Sequence, residues 1–224
     1  MSTSLKNSSL TPTYSLSRQP SKLARTGAFL PGLTSRDDTA ILHLHSLKKQ
    51  KSTKHLEDKM QKPIIGIMGP GRSATQEEQA DAHALGTIVA ELGCILLTGG
   101  VAHGVMDAAC KGARERGGMT IGILPHKLPS ETHPISEYVD IPIITTFGEG
   151  RNLINAFSCK VILVVGMCPG TASEVCFAIK AGVPVILLRP TDEALNFFQK
   201  ILKGTVRTAR TPRDARAALQ IELS

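Results

Sequence analysis

Two side chains and three glycine-bearing turns carry the chemistry this sequence can offer. Arg151 follows Gly148-Glu149-Gly150, and Glu174 stands three residues after Thr171. A guanidinium is planar and presents parallel N–H donors, so Arg151 suits a bidentate contact to a phosphate-like oxyanion better than a lysine would. Its plainer reading is a solvated loop arginine. With Arg151, Glu174 is one of the two charged residues that stand out beside these turns. Its plainer reading is structural, since Thr171-Ala172-Ser173-Glu174 is a capping box, whose carboxylate bonds back to the Thr171 N–H.

The turns are Gly69-Pro70-Gly71-Arg72-Ser73, Thr98-Gly99-Gly100 with Gly104 opening a helix shortly after, and Gly166-Met167-Cys168-Pro169-Gly170-Thr171. Each leads into a helical segment and so faces a helix amino terminus, where unpaired N–H groups and the dipole attract phosphate. One glycine after a strand is as often needed for a positive φ as for a ligand. Three such turns converging imply an anionic, phosphorylated ligand.

The elements that must position these residues are legible in the apolar pattern. Runs at 64–68, 94–97, 120–124, 141–144, 161–165 and 185–188 are short, rich in β-branched residues and apolar on both faces, as strands buried in a parallel sheet are. Leu85, Ile88, Val89 and Leu92 follow the spacing of one buried helix face, and Val175 and Ile179 do the same before Gly182-Val183-Pro184 stops the helix. Alternation of strand and helix predicts an α/β fold with an open, doubly wound, mostly parallel sheet of Rossmann-like type. All three turns then lie at the carboxyl ends of strands, where such sheets bind ligands. The first turn is not GxGxxG and the second strand ends in Thr98 instead of an acidic residue, which disfavours a nicotinamide-dependent hydride transfer.

Composition narrows the classes further. The chain has 224 residues and a formal charge of +7, of which residues 1–59 hold +6 and residues 60–224 only +1. The excess therefore sits in an amino-terminal extension, and the folded part lacks the basic stripe of a nucleic-acid binder. Residues 1–36 contain 13 Ser/Thr and no acidic residue, which predicts a disordered extension at 1–59, a transit peptide, or a true start at Met60. The ligand-binding domain is expected over 60–224. No run of 18 apolar residues occurs, so no membrane-spanning helix is expected. Five cysteines, an odd number without a CxxC pair, read as reduced and cytoplasmic, and the His43-Leu44-His45 run lies in the extension, so no metal site is expected. Chloroplast import follows if the extension is a transit peptide.

Thr98-Gly99-Gly100, Gly104-Val105-Met106, Ala108-Ala109 and Gly170-Thr171-x-x-Glu174 resemble the "lonely guy" (LOG-like) superfamily of Rossmann-like nucleotide-binding proteins. Its enzymes are phosphoribohydrolases that cleave cytokinin riboside monophosphates to free base and ribose 5-phosphate, with a Pro-Gly-Gly-x-Gly-Thr-x-x-Glu motif and an upstream arginine. Arg151 and Glu174 fall at the two catalytic positions, while Gly166, Met167 and Cys168 replace Pro-Gly-Gly. That variant, with 62–71, 95–100, 139–143 and 151–156, is more similar to the molybdenum cofactor carrier branch, and the similarity spans about 62–188. This resemblance implies binding, protection and transfer of the molybdenum cofactor, without catalysis, to apoenzymes such as nitrate reductase, by a homo-oligomer (dimer or tetramer). Contacts to the cofactor's phosphate or molybdate are then expected from Gly69, Gly71, Thr98, Gly99, Gly100, Gly104, Gly170 and Thr171, with Arg151 neutralising charge beside Glu174. Cys168 reads either as a small loop residue or, if a helix terminus lowers its pKa, as a thiolate ligand to molybdenum. Ala194, Leu195, Phe197, Phe198, Ile201 and Leu202 form a helical apolar band that is either core or subunit interface. The hydrolase is the alternative function, and a nucleotide-sensing module without turnover is a third.

Overall fold

The computed structural model describes residues 62–126, 134–201 and 206–224. The extension at 1–59, with His43 and His45, and Leu202 lie outside the described residues. Seven strands are present: β1 Ile64–Met68, β2 Ile95–Thr98, β3 Thr120–Leu124, β4 Ile141–Ile144, β5 Val161–Val165, β6 Val185–Leu188 and β7 Val206–Ala209. Six helices join them: α1 Gln76–Glu91, α2 Gly104–Glu115, α3 Arg151–Phe157, α4 Pro169–Ala181, α5 Asp192–Ile201 and α6 Pro212–Leu223. The sheet order is β4-β3-β2-β1-β5-β6-β7, and every neighbouring pair is parallel. The chain thus winds outward one way from β1 and then returns to wind the other way, which places the topological switch between β1 and β5.

Successive strand residues point to opposite faces and so feed two cores. Ile65, Ile67, Leu96, Leu163, Ile186 and Leu188 join Leu85 and Val89 of α1, Val105 and Ala109 of α2 and Leu219 of α6. Met68, Leu97, Ile162, Val164, Val185 and Leu187 meet Ala156 of α3, Val175 and Ala178 of α4 and Phe198 of α5. Helices on both faces explain why most strands are apolar throughout. Gly182 ends α4 in the left-handed region at φ 73°, where a side chain would be strained.

Three expectations need correction. β4 is not buried: it is an edge strand with no helix over it, and Ile141, Ile143 and Ile144 are more than two-fifths exposed. The second strand starts one residue later than its apolar run, at Ile95, and ends in Thr98 as expected. Lastly, β7 and α6 extend the fold beyond the six strands that the apolar runs predict. The apolar band of α5 divides, with Phe198 buried in the core and Phe197 and Ile201 exposed. No helix among the described residues is long and apolar enough to cross a membrane.

Candidate functional site

The β1, β2 and β5 turns meet around a cleft of about 210 Å³, lined by Met68, Gly69, Gly71, Gly99, Met106, Glu149, Arg151, Asn152, Cys168, Gly170 and Glu174. Six of the ten expected binding residues therefore line one cleft. The other four stand behind its wall. Thr98 is fully buried, its hydroxyl accepts the Gly100 N–H at 3.0 Å and packs on the Cys110 thiol. Gly100 has φ 72° and sits where an added Cβ would lie 2.8 Å from the Gly122 Cα of the neighbouring strand. At Gly104 a Cβ would lie 1.9 Å from the Gly71 carbonyl oxygen, and the adjacent Val105 N–H donates to the Pro70 carbonyl at 3.0 Å. The head of α2 is thereby tied to the first turn. Thr171 is buried with its N–H donating to the Cys168 sulfur.

That last contact overturns the capping-box reading. The rigid Pro169 occupies the first helical turn, so α4 begins before Thr171 and its cap is Cys168. Glu174 consequently lies in the second turn, too far along to reach the cap, and points at α3. The Asn155 side chain donates to Glu174 Oε1 at 2.7 Å. Burial pushes the Glu174 carboxyl up to about 7, against the opposing pull of Asn155 and Arg151, with Glu149 adding to the rise. Cys168, with its sulfur occupied by Thr171, serves here as a helix cap.

Arg151 is not a solvated loop residue either. It opens α3 and is only 8% exposed. Nη1 donates to the Ile123 carbonyl at 3.0 Å, while Nε is buried without a hydrogen-bond partner. No carboxylate lies within ion-pair distance of it among the described residues, and Glu174 and Glu149 act on its charge from farther off. Burial lowers its pKa from the usual value, partly offset by those two acids. A buried, unpaired cation with an idle donor calls for an anion, because leaving such a group uncompensated is costly. Asn152, which also lines the cleft, holds the two helices together by donating to the Ser173 hydroxyl at 2.9 Å.

Sequence reasoning missed Met68, Met106, Glu149 and Asn152 as lining residues. Glu149 and Asn152 left a signal, as polar residues beside Arg151 at the head of a helix. A larger cleft of about 310 Å³ opens over the carboxyl ends of β5 and β6. Its charged lining is Glu77, Glu78 and Asp81 against Arg189, which pairs with Glu77 and Asp81. The one arginine of that cleft is thus already paired, whereas Arg151 in the smaller cleft has no carboxylate within ion-pair distance among the described residues, which makes the smaller cleft the candidate for an anion. No cluster of metal-ligating side chains occurs among the described residues.

Gly99 shows how tightly the arginine is seated. A Cβ there would lie 1.8 Å from Arg151 Nη1 and 2.6 Å from Met106 Sδ, both ends of flexible side chains. Gly99→Ala should therefore displace the guanidinium without breaking the fold. We expect affinity for inorganic phosphate, measured by titration calorimetry, to fall about tenfold with an unchanged melting temperature. Unchanged affinity would show that the position of the guanidinium does not matter.

The sequence profile of the SLOG cluster4 family matches residues 62–216, from β1 into α6. The chain belongs to that family. Its match takes in all three glycine turns, Arg151 and Glu174. Among solved structures, the chain is similar to the molybdenum cofactor binding protein of the phototrophic bacterium Rippkaea orientalis. The two are 41% identical over 74% of this chain and 99% of that one, with a TM-score of 0.70. It is likewise similar to the molybdenum cofactor carrier protein of Chlamydomonas reinhardtii, at 48% identity over 73% of this chain and 99% of the other, with a TM-score of 0.68. A protein of Archaeoglobus fulgidus is 37% identical over 126 residues, 56% of this chain and 80% of its own. The match thus takes in all seven strands of the described sheet, and the extension at 1–59 has no part in it.

Proposed function

We propose that this chain binds, protects and transfers the molybdenum cofactor without catalysis. The single observation that carries the reading is the buried Arg151, a cation without an ion pair among the described residues, which lines a cleft bordered by glycine turns. The cofactor is the cargo here, a pterin with a terminal phosphate and an oxo-molybdenum dithiolene, both anionic. A cleft of about 210 Å³ has room for one such anionic head group. The likeness to the Rippkaea and Chlamydomonas proteins, at 41% and 48% identity, supports the same cargo. Recipients of the class of nitrate reductase, a homo-oligomeric assembly and work in the cytoplasm belong to the same reading. Exposed Phe197 and Ile201 on α5 support the assembly.

One experiment tests it against the phosphoribohydrolase. The purified full chain is incubated with molybdenum cofactor and assayed for cofactor still able to reconstitute apo-nitrate reductase. A parallel sample receives adenosine monophosphate and a cytokinin riboside monophosphate and is chromatographed for free base. Protection without base release is expected. Base release without protection would transfer Arg151 and Glu174 to catalysis and end the carrier reading. Light scattering on the same sample giving a monomer would remove the assembly.

A further inference from the structure

Glu174 is a carboxyl group in an unusual setting for a site that holds an anion. It is 6% exposed and lines the same cleft as Arg151. A carboxylate offers about four acceptor sites, yet the only protein donor is the Asn155 amide on Oε1, and Oε2 has no partner among the described residues. The charged groups that act on it are Arg151 at the head of α3 and Glu149 in the preceding short turn. The uncharged neighbours are Asn155 on α3, Cys159 just after that helix, and Met68 and Cys168 on the cleft wall. The nearby cation does not close into an ion pair with it, and Arg151 Nε stays idle. An ionised Glu174 would thus be under-bonded and would compete with any anion for Arg151. A protonated Glu174 keeps its bond from Asn155 on one oxygen and has an O–H to donate on the other.

We propose that Glu174 meets the cofactor's anionic group as a neutral carboxylic acid that donates a hydrogen bond to it, so that loss of this proton drives release. The inference rests on the anion-binding reading of the cleft and adds to it a proton-linked release step. Burial supports the neutral form near neutrality, since the carboxyl is pushed up to about 7. The sign follows directly. Binding is complete below that value and weakens as the pH rises through it, because the ionised carboxylate repels the ligand and no longer donates. No bond to the ligand other than hydrogen bonds is made or broken, and the proton passes to solvent.

The test uses the full chain and sodium molybdate, which keeps its two negative charges from pH 6 to pH 8, in titration calorimetry. Wild-type affinity is expected to fall about tenfold between those values, as a single linked proton requires. Glu174→Gln, a neutral isostere that still accepts from Asn155 and donates from its amide, should bind at both values as tightly as wild type does at pH 6. A flat wild-type profile, no binding at either value, the same slope in Glu174→Gln, or loss of affinity in that variant at pH 6 would each overturn the proposal. Retention of molybdenum cofactor by wild type at the two values keeps this separate from the carrier reading. Equal retention at both leaves the carrier and removes the proton link, whereas no retention with a sloping molybdate profile does the reverse.

Discussion

Arg151→Met is expected to weaken molybdate binding about a hundredfold, because it removes two charge-assisted hydrogen bonds of about 1.5 kcal/mol or more each. The same change should leave the melting temperature of the ligand-free protein unchanged or raised. Methionine fills much of the space the arginine stem occupies, and the guanidinium it replaces is a buried cation without an ion pair. Its one bond, to the Ile123 carbonyl, returns little against the desolvation of the charge. Affinity therefore falls without a loss of stability, the signature of a residue kept for its ligand. Calorimetric titration and thermal unfolding on one preparation read both. A parallel fall in the two would make Arg151 a structural prop, and unchanged affinity would remove it from the site.

Residue type made Arg151 and Glu174 visible in the sequence, but their relation to each other depended on details only the fold supplies. The sequence predicts three convergent turns because each glycine cluster follows a β-branched apolar run, and parallel strands deliver all such turns to one edge. It does not say which glycines face the ligand. Gly99 lies against the guanidinium, whereas Gly100, the next residue, faces the adjacent strand at Gly122, a difference of one residue in backbone direction. Likewise, Thr171-x-x-Glu174 fits a capping box in spacing alone, and the proline two residues earlier decides the matter by starting the helix sooner. Strand β7 escaped for a different reason. Val206-Arg207-Thr208-Ala209 is four residues long, and two of them are polar and exposed, so no apolar run announces it. At the opposite edge the apolar run of β4 announced a strand correctly and misled about its burial, because a strand's neighbours are set by topology and not by its own side chains.

Gly112→Ala should instead destabilise the protein with little effect on the site. Helices α1 and α2 cross at a pair of glycines. A Cβ at Gly112 would lie 2.0 Å from the His83 carbonyl oxygen, and one at Gly86 would lie 2.0 Å from the Ala109 carbonyl oxygen. Both obstacles are helix backbone, already fixed by its own hydrogen bonds, so neither can swing aside as the ends of Arg151 and Met106 can beside Gly99. Relief requires the helices to separate, which loosens Leu85, Val89 and Ala109 from the core they share. The expected loss is about 3 kcal/mol, at the upper end for overpacking a well-filled contact, read as a lowered urea midpoint with unchanged slope. Meanwhile the head of α2 remains tied to the first turn by the Val105 N–H on the Pro70 carbonyl. Molybdate affinity of the folded fraction should therefore stay within about threefold of wild type, as for a distant, independent site. A tenfold loss of affinity in Gly112→Ala with normal stability would mean that the cleft depends on how α2 is set against α1. The division between glycines that seat the ligand and glycines that seat the helices would then fail.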